Sequence, residues 1–404
     1  MNKQYDVVVY GASGFTGRLV AEYLHNQYSG TALRWAMAGR NEKKLEQVRQ
    51  NIGCDASIII ADSTDKAALD QMTAQTKVVC TTVGPYAKYG NDLLASCVTQ
   101  SAHYCDLSGE VPWMRRMIDA HHEMAKSKKL KIVHSCGFDS IPSDYGLYYH
   151  QNQSKEKLGA YCSTVSMRVR AMKGKFSGGT LASGQNVIAE AIGDASIWKV
   201  LMDPYGLNPT EERTGKDRKD LNKVVYDPQF KSWIAPFVMG NINTKIVRRG
   251  HALRGFPYGS EFQYDEAILT GNGWKGKLSG KMTHTVTGLV MGPKPGTMMR
   301  KVVDKFLPDP GEGPSEAERK NGFYKLLFKG KTNAGESFTT QMTGDMDPGY
   351  GSTSKMLGEA AVCLAMDQEN LPSCYGVVTP VAAMGDSLGD RLIKNAGLTF
   401  SVKE

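Results

Sequence analysis

This sequence predicts an α/β protein, a doubly wound parallel sheet that carries a second, inserted α+β domain built on a largely antiparallel sheet. Three observations support that architecture. The first 135 residues alternate short apolar runs with amphipathic helical segments, and parallel strands require such crossovers. The opening apolar run passes directly into glycines at positions 11, 14 and 17. Beyond residue 145 the rhythm changes to longer alternating runs, which suit an antiparallel sheet with one covered face.

Taken in order, strand one is expected over 6–10, where Val7, Val8 and Val9 fit a strand buried on both faces. Further strands are expected over 33–38, 57–61, 77–83, 103–106 and 130–134, with helices after Gly14, Asn41 and Ser63, over 91–100 and over 113–126. These elements make a nucleotide-binding domain of residues 1–145. A substrate or dimerisation domain follows over 146–348, with strands expected at 162–170, 245–252, 261–269 and 276–287 and a helix at 180–192. Stretches 203–220 and 307–318, rich in proline and charge, read as surface loops. Helical patterns at 349–366 and 386–395 belong to a C-terminal segment, 349–404, that returns to the first domain.

Bulk properties narrow the class. The chain has 404 residues, 41% apolar and 22% charged, as expected of a globular protein with two domains. Its net charge of +8 is dispersed, a mild bias that suits anionic ligands and does not announce nucleic acid. Eight cysteines occur without a C-x-x-C pair; they read as reduced core thiols, and no metal site is expected from the cysteines or histidines. No apolar run is long enough to span a membrane, and the first strand begins too early to leave room for a signal peptide. A cytoplasmic location is expected, with peripheral membrane or lipid contact and a homodimer both open.

The chemistry begins at the glycines. Tyr5 to Gly17 reads YDVVVYGASGFTG, with G-x-x-G-x-x-G spacing between strand and helix. Glycine serves where the chain turns tightly and where backbone must approach a pyrophosphate at a helix N-terminus. Gly11, Ser13, Gly14, Phe15, Thr16 and Gly17 are therefore candidate cofactor contacts, and the Ser13 and Thr16 hydroxyls suit either phosphate oxygens or helix capping.

The other strand ends converge on the same edge of the sheet, where doubly wound folds bind ligands. After strand two stands Arg40, where NAD-selective sites usually place a carboxylate; a guanidinium there favours a 2′-phosphate, hence NADP(H) over NAD(H). Asp62 after strand three suits the adenosine half or a helix cap. Strand four ends at Val83 and is followed by Gly84, Pro85 and Tyr86, offering close backbone approach, a fixed exit angle and an aromatic wall beside the nicotinamide half. Asp106 stands at the end of strand five.

These segments carry a resemblance. Residues 11–18, 81–86, 104–110 (YCDLSGE), 137–142 (GFDSIP), 177–180 and 347–350 (DPGY), with Thr379-Pro380 and Met384-Gly385-Asp386, are similar to those of the saccharopine dehydrogenase-like oxidoreductases, most of all the trans-acting enoyl reductase branch. The resemblance runs nearly the full length. It implies a Rossmann domain with an inserted α+β domain, and NADPH reducing a polarised double bond in an acyl or lipid-like small-molecule substrate.

Such a reduction needs a hydride, a group that polarises the carbonyl and a proton for the α-carbon. Asp139, Asp106, Tyr86 and Tyr145 are the candidate catalytic residues: Asp139 as proton donor or as a cap of the next helix, Asp106 to orient ligand or satisfy local amides, the tyrosines as phenolic donors. None of the 18 tyrosines has a lysine four residues on, so the tyrosine–lysine dyad of short-chain reductases is missing. Two other readings stand beside the enoyl reductase, an imine reductase of the saccharopine type acting on an amino acid, and a non-catalytic NADP-binding sensor or scaffold.

Overall fold

In the computed structural model, which describes residues 3–174, 178–217, 219–292, 297 and 313–403, the first apolar run forms β1 (Tyr5–Tyr10), with Val7, Val8 and Val9 wholly buried. Ser177 of the 177–180 motif and residues 307–312 of the second expected loop lie outside the described residues. After β1 come α1 (Phe15–Tyr28), β2 (Trp35–Gly39), α2 (Glu42–Ile52), β3 (Ser57–Ile60), α3 (Lys66–Ala74), β4 (Thr76–Thr81), α4 (Tyr86–Tyr89), α5 (Asn91–Thr99), β5 (His103–Cys105), α6 (Val111–Ser127) and β6 (Lys131–Val133). All six expected strands are present, each within two residues of its expected ends.

The chain continues through α7 (Ile141–Leu158), β7 (Cys162–Lys173), α8 (Gly178–Gly193), α9 (Ala195–Met202), β8 (Val225–Asp227), β9 (Ser232–Ala235), α10 (Gly240–Leu253), β10 (Gln263–Gly271), α11 (Gly273–Met291) and α12 (Glu316–Lys320). It closes with β11 (Phe323–Thr332), β12 (Ser337–Gly344), α13 (Gly351–Met366), β13 (Gly376–Val378), α14 (Pro380–Asn395) and β14 (Leu398–Val402).

Two units result. The first comprises Met1–Ile141, Pro310–Gly313 and Gly349–Gly397. Its seven strands run in the order β13-β6-β5-β4-β1-β2-β3, every neighbouring pair parallel. The order reverses between β1 and β4, which opens a crevice at their C-terminal ends. Local chemistry sets the helices: Asn41 caps α2 by accepting the Lys44 N–H, Gly53 ends it in the left-handed region, and Asp65 caps α3 through the Ala68 N–H. Glu359 on α13 is fully buried and accepts from the Tyr23 and Tyr28 hydroxyls, each at 2.6 Å, and from Arg391 and Asn395. That network fastens α1, the helix behind the glycines, to α13 and α14.

The second unit, Pro142–Asp309, Pro314–Pro348 and Leu398–Glu404, holds a seven-stranded sheet ordered β14-β12-β11-β7-β10-β9-β8. All its pairs are antiparallel except β10 with β7. The C-terminal segment is thus divided. Residues 349–397 belong to the first unit, whereas β14 closes the edge of the second sheet by pairing with β12.

Two expected strands, 245–252 and 276–287, are helical instead, within α10 and α11. In α10 the charged residues that mimic a solvated strand face are inside: Lys245, Arg248 and Arg249 are buried. Arg248 Nε lies 2.8 Å from Asp217 Oδ2, and Lys245 Nζ lies 3.6 Å from Asp220 Oδ2. Burial of these cations depends on such pairing. In α11 the inward face is made of Gly276, Gly280, Thr283, Thr287 and Val290, so most of its apolar residues do not mark the core.

Candidate active site

The glycine turn is built for close backbone approach. Gly11 takes φ +87°, which disfavours any side chain, and donates its N–H to the Ala38 carbonyl at 2.8 Å. A Cβ there would stand 2.6 Å from Val83 Cγ2 at the end of β4. At Gly17 a Cβ would overlap the Gly11 carbonyl oxygen, so only glycine lets α1 pack onto the turn. Gly14 is exposed and forms the N-cap of α1 with no side-chain cap and no acidic residue in the first turn. Amides and dipole there are open to an anion. Ser13, Phe15 and Thr16 are half-buried, and the Phe15 ring stands edge-on to Tyr350 at 4.8 Å.

Arg40 is exposed immediately after β2 and makes no hydrogen bond or ion pair within the described residues. A fork that is unpaired among the described residues can receive a phosphate. The half-buried Asp62 after β3 accepts from the Thr64 N–H at 2.9 Å and its hydroxyl at 2.8 Å. It forms a local turn, and these bonds, with the charge of Arg40, keep its carboxyl below the usual carboxylate range. The cap of α3 is Asp65, so the capping role weighed for Asp62 belongs three residues on.

At the end of β4 the expectation for Tyr86 needs correction. Pro85, joined to Gly84 by a cis peptide, precedes α4, and Gly84 is exposed beside the half-buried Val83. The Tyr86 ring does not form an outward wall: it is buried and stacked on Trp113 at 5.4 Å. Its hydroxyl accepts the Leu107 N–H at 3.1 Å. Burial, with the nearby Asp106 charge, holds that phenol well above its ordinary pKa. Glu110, also buried, receives the Tyr86 and Ala87 N–H groups at 2.7 and 2.9 Å. The carboxylate thereby satisfies the first amides of α4.

Asp106 is at the centre of a closed network. It is fully buried and accepts from Tyr104 Oη (2.9 Å), His134 Nδ1 (2.7 Å), Ser108 N (2.9 Å) and Ser135 N (3.1 Å). A carboxylate can only accept, so Nδ1 is the donor nitrogen of the imidazole in this pair. These bonds fix the loops that follow β5 and β6. Ser135 takes φ +62°, and its hydroxyl donates to the Ser108 carbonyl at 2.6 Å.

The turn after β6 carries Asp139. Ser140 and Ile141 return N–H bonds to the Gly137 carbonyl, and the Phe138 N–H donates to Thr353 Oγ1 at 3.0 Å. A Cβ on Gly137 would meet Asp139 Oδ2 at 2.9 Å and Leu107 Cδ2 at 2.6 Å; glycine leaves the carboxyl room. Asp139 is half-buried, and loss of water around its carboxyl, with the Asp106 charge, pushes its pKa up to about 7. Among the first-unit candidates it alone combines partial exposure with a proton held near neutrality. Tyr145 is in the second unit, buried edge-on to Phe400 at 5.2 Å.

The structure therefore gathers the ends of β1, β2, β3, β4 and β6 on one edge of the first sheet, with Asp106 beneath the surface. Glu110, His134 and Thr353 were not singled out from the sequence. For His134 a signal existed, a polar residue just beyond a strand end, and Glu110 closes the 104–110 motif; Thr353 lies more than 200 positions from Phe138 and had none.

Comparison with known proteins follows the same lines. Residues 7–133 match the model of the saccharopine dehydrogenase NADP binding domain. The whole chain is similar to a trans-acting enoyl reductase of Mycobacterium bovis, 35% identical over 96% of both chains, and to one of Mycobacterium ulcerans at 32% over 96% of both. A Mycobacterium tuberculosis protein given that name provisionally is 38% identical, again over 96% of each. Among solved structures, apo saccharopine dehydrogenase (L-Glu forming) from Saccharomyces cerevisiae shares the fold, with TM-score 0.54 and 12% identity over 98% of this chain and 99% of that one.

Proposed function

From the premise that the chain belongs to the saccharopine dehydrogenase-like oxidoreductases, in their trans-acting enoyl reductase branch, we propose that it reduces the polarised carbon–carbon double bond of an acyl substrate, with Asp139 as proton donor. That it is an NADP-dependent oxidoreductase follows from the family. The residues present fit the cofactor: an uncapped helix N-terminus at Gly14, an open Gly84 and an unpaired Arg40 would hold pyrophosphate, nicotinamide and 2′-phosphate respectively. When bound, the cofactor supplies a hydride to the β-carbon.

The remaining step falls to this chain. Saturating the double bond leaves negative charge at the α-carbon and its carbonyl, and a proton must arrive there. A carboxyl with a pKa of about 7 is half protonated at neutral pH, the compromise between holding and giving a proton that general acid catalysis favours. The place of Asp139 in the turn after β6, at the strand-end edge that also holds the Gly11 and Gly84 turns, carries the proposal. Tyr86 is less suited, because burial holds its proton too firmly and its hydroxyl is engaged by Leu107. We assign Asp106 and His134 a positioning role, since their mutual bond is internal.

An imine reductase acting on an amino-acid substrate would require cations to hold carboxylates. The adjacent pair Arg248 and Arg249 is buried, with Arg248 committed to Asp217 and to the Pro204 and Tyr264 carbonyls, which supports the acyl reading. The test is to follow oxidation of NADPH with a crotonyl-type thioester, and separately with an oxo-acid plus lysine. Turnover with the thioester alone is expected; turnover only with the oxo-acid and amine overturns the assignment, and tight NADPH binding without turnover on either points to a sensor.

A further inference from the structure

We infer that α11 is a membrane-docking helix that lies on an anionic lipid surface. The helix is inverted relative to an ordinary surface helix. Its packing face is made of small or β-branched residues, Gly276, Gly280, Thr283, Thr287 and Val290. A Cβ at Gly280 would stand 2.8 Å from Val224 Cγ1 and 3.0 Å from Thr270 Oγ1, so that face is closely seated. The outward face is apolar: Trp274, Leu278, Met282, Val286 and Leu289 are between 48% and 71% exposed. Spaced by four, four, four and three, they form one continuous stripe over four helical turns. A stripe of this length on a monomer marks a contact surface.

Charge identifies the occupant. Residues 273–291 contain Lys275, Lys277 and Lys281 and no Asp or Glu. At 100° per residue, Lys277 and Lys281 fall on one side of the apolar stripe, between it and the packing face, while Lys275 falls within the stripe at its N-terminal end. A second copy of this chain brings no acid on α11 to meet these lysines in a two-fold contact, where like surfaces face each other. An anionic bilayer meets both requirements, burying the stripe at the acyl boundary and pairing the lysines with headgroups. Trp274 at the N-terminal end is the residue type that anchors at such a boundary. In the same unit α8 packs against both α11 and α9, and α9 exposes Trp198 and Met202. No helix among the described residues is long and apolar enough to cross a membrane, so the contact is peripheral.

Flotation of the full-length protein with vesicles of phosphatidylcholine and phosphatidylserine, in a roughly 3:1 ratio, tests this. Binding is expected with phosphatidylserine, much less with phosphatidylcholine alone. The L278E/M282E double variant should lose it while keeping NADPH affinity, since neither side chain is in the core. The K277Q/K281Q variant should bind about fivefold more weakly per lysine, roughly thirtyfold in all, at low salt. Absence of wild-type binding, or binding undiminished in both variants, overturns the inference. So does a concentration-dependent dimer that L278E/M282E dissociates without any vesicle binding, which would give the stripe to a second copy.

Discussion

Replacing Asp139 by Asn should stabilise the protein above neutral pH and remove most of its turnover. The carboxyl has a pKa of about 7 in the folded state against 3.8 for an unperturbed group. Between those values the folded protein holds a proton that the unfolded chain has released, so wild-type stability falls as pH rises through that window. The difference of roughly three units is worth ~4 kcal/mol at most, because Asp139 is only half-buried and residual solvent reduces it. Asparagine keeps the shape and cannot ionise. In urea unfolding, the advantage of D139N over wild type should therefore grow by ~2–3 kcal/mol between pH 5 and pH 8 and then level off. Loss of a general acid should lower kcat by ~10²–10⁴-fold, with little change in NADPH affinity. Wild-type turnover should itself decline above pH 7 as the acid is lost. A stability difference that is flat with pH, or D139N turnover within about threefold of wild type, would refute the assignment.

Three further outcomes follow from the same geometry. Gly17→Ala places a methyl on the Gly11 carbonyl; it should cost ~1–3 kcal/mol in urea unfolding and weaken NADPH binding by displacing the turn. Arg40→Ala should weaken NADPH by ~10–100-fold in a cofactor-fluorescence titration while leaving NADH nearly unchanged, because only the former offers a phosphate to the fork. Tyr86→Phe removes the acceptor of the Leu107 N–H and should destabilise by ~1–3 kcal/mol, yet leave the pH profile of turnover in place; a lost alkaline limb would make the phenol, not Asp139, the proton donor.

The first unit was legible because its signals are local. Each βα step pairs an apolar run with a polar or glycine-bearing strand end, and the six strands are where the periodicity puts them. Its seventh strand, Gly376–Val378, arrives after the long excursion through the second unit, outside the strand–helix alternation that marks the other six. The site was legible as a set of strand ends but not as chemistry. Tyr86 and Asp106 are equally polar in sequence, and it is burial that turns one ring onto Trp113 and encloses the other group among four donors. Asp139 differs through what surrounds it, which includes Asp106, 33 positions away, and Leu107 across the turn.

In the second unit the misread segments have opposite causes. Helix α10 is buried on nearly all sides, so its arginines and lysine look like a solvated face although Asp217 and Asp220 lie against them. Helix α11 is apolar where it faces away from the protein and small where it packs. Both break the rule that hydrophobic residues point to the core, and both do so at a definable physical expense, desolvated charge in one and exposed hydrocarbon in the other. In α10 the expense is offset inside the unit by paired acids. In α11 nothing among the described residues offsets it, whereas an anionic lipid surface would cover the stripe and meet its lysines together. If an acyl chain is the substrate, a protein seated at such a surface also meets it where long chains partition, and the L278E/M282E variant should then lose turnover on a vesicle-borne long-chain thioester while retaining it on a soluble short one.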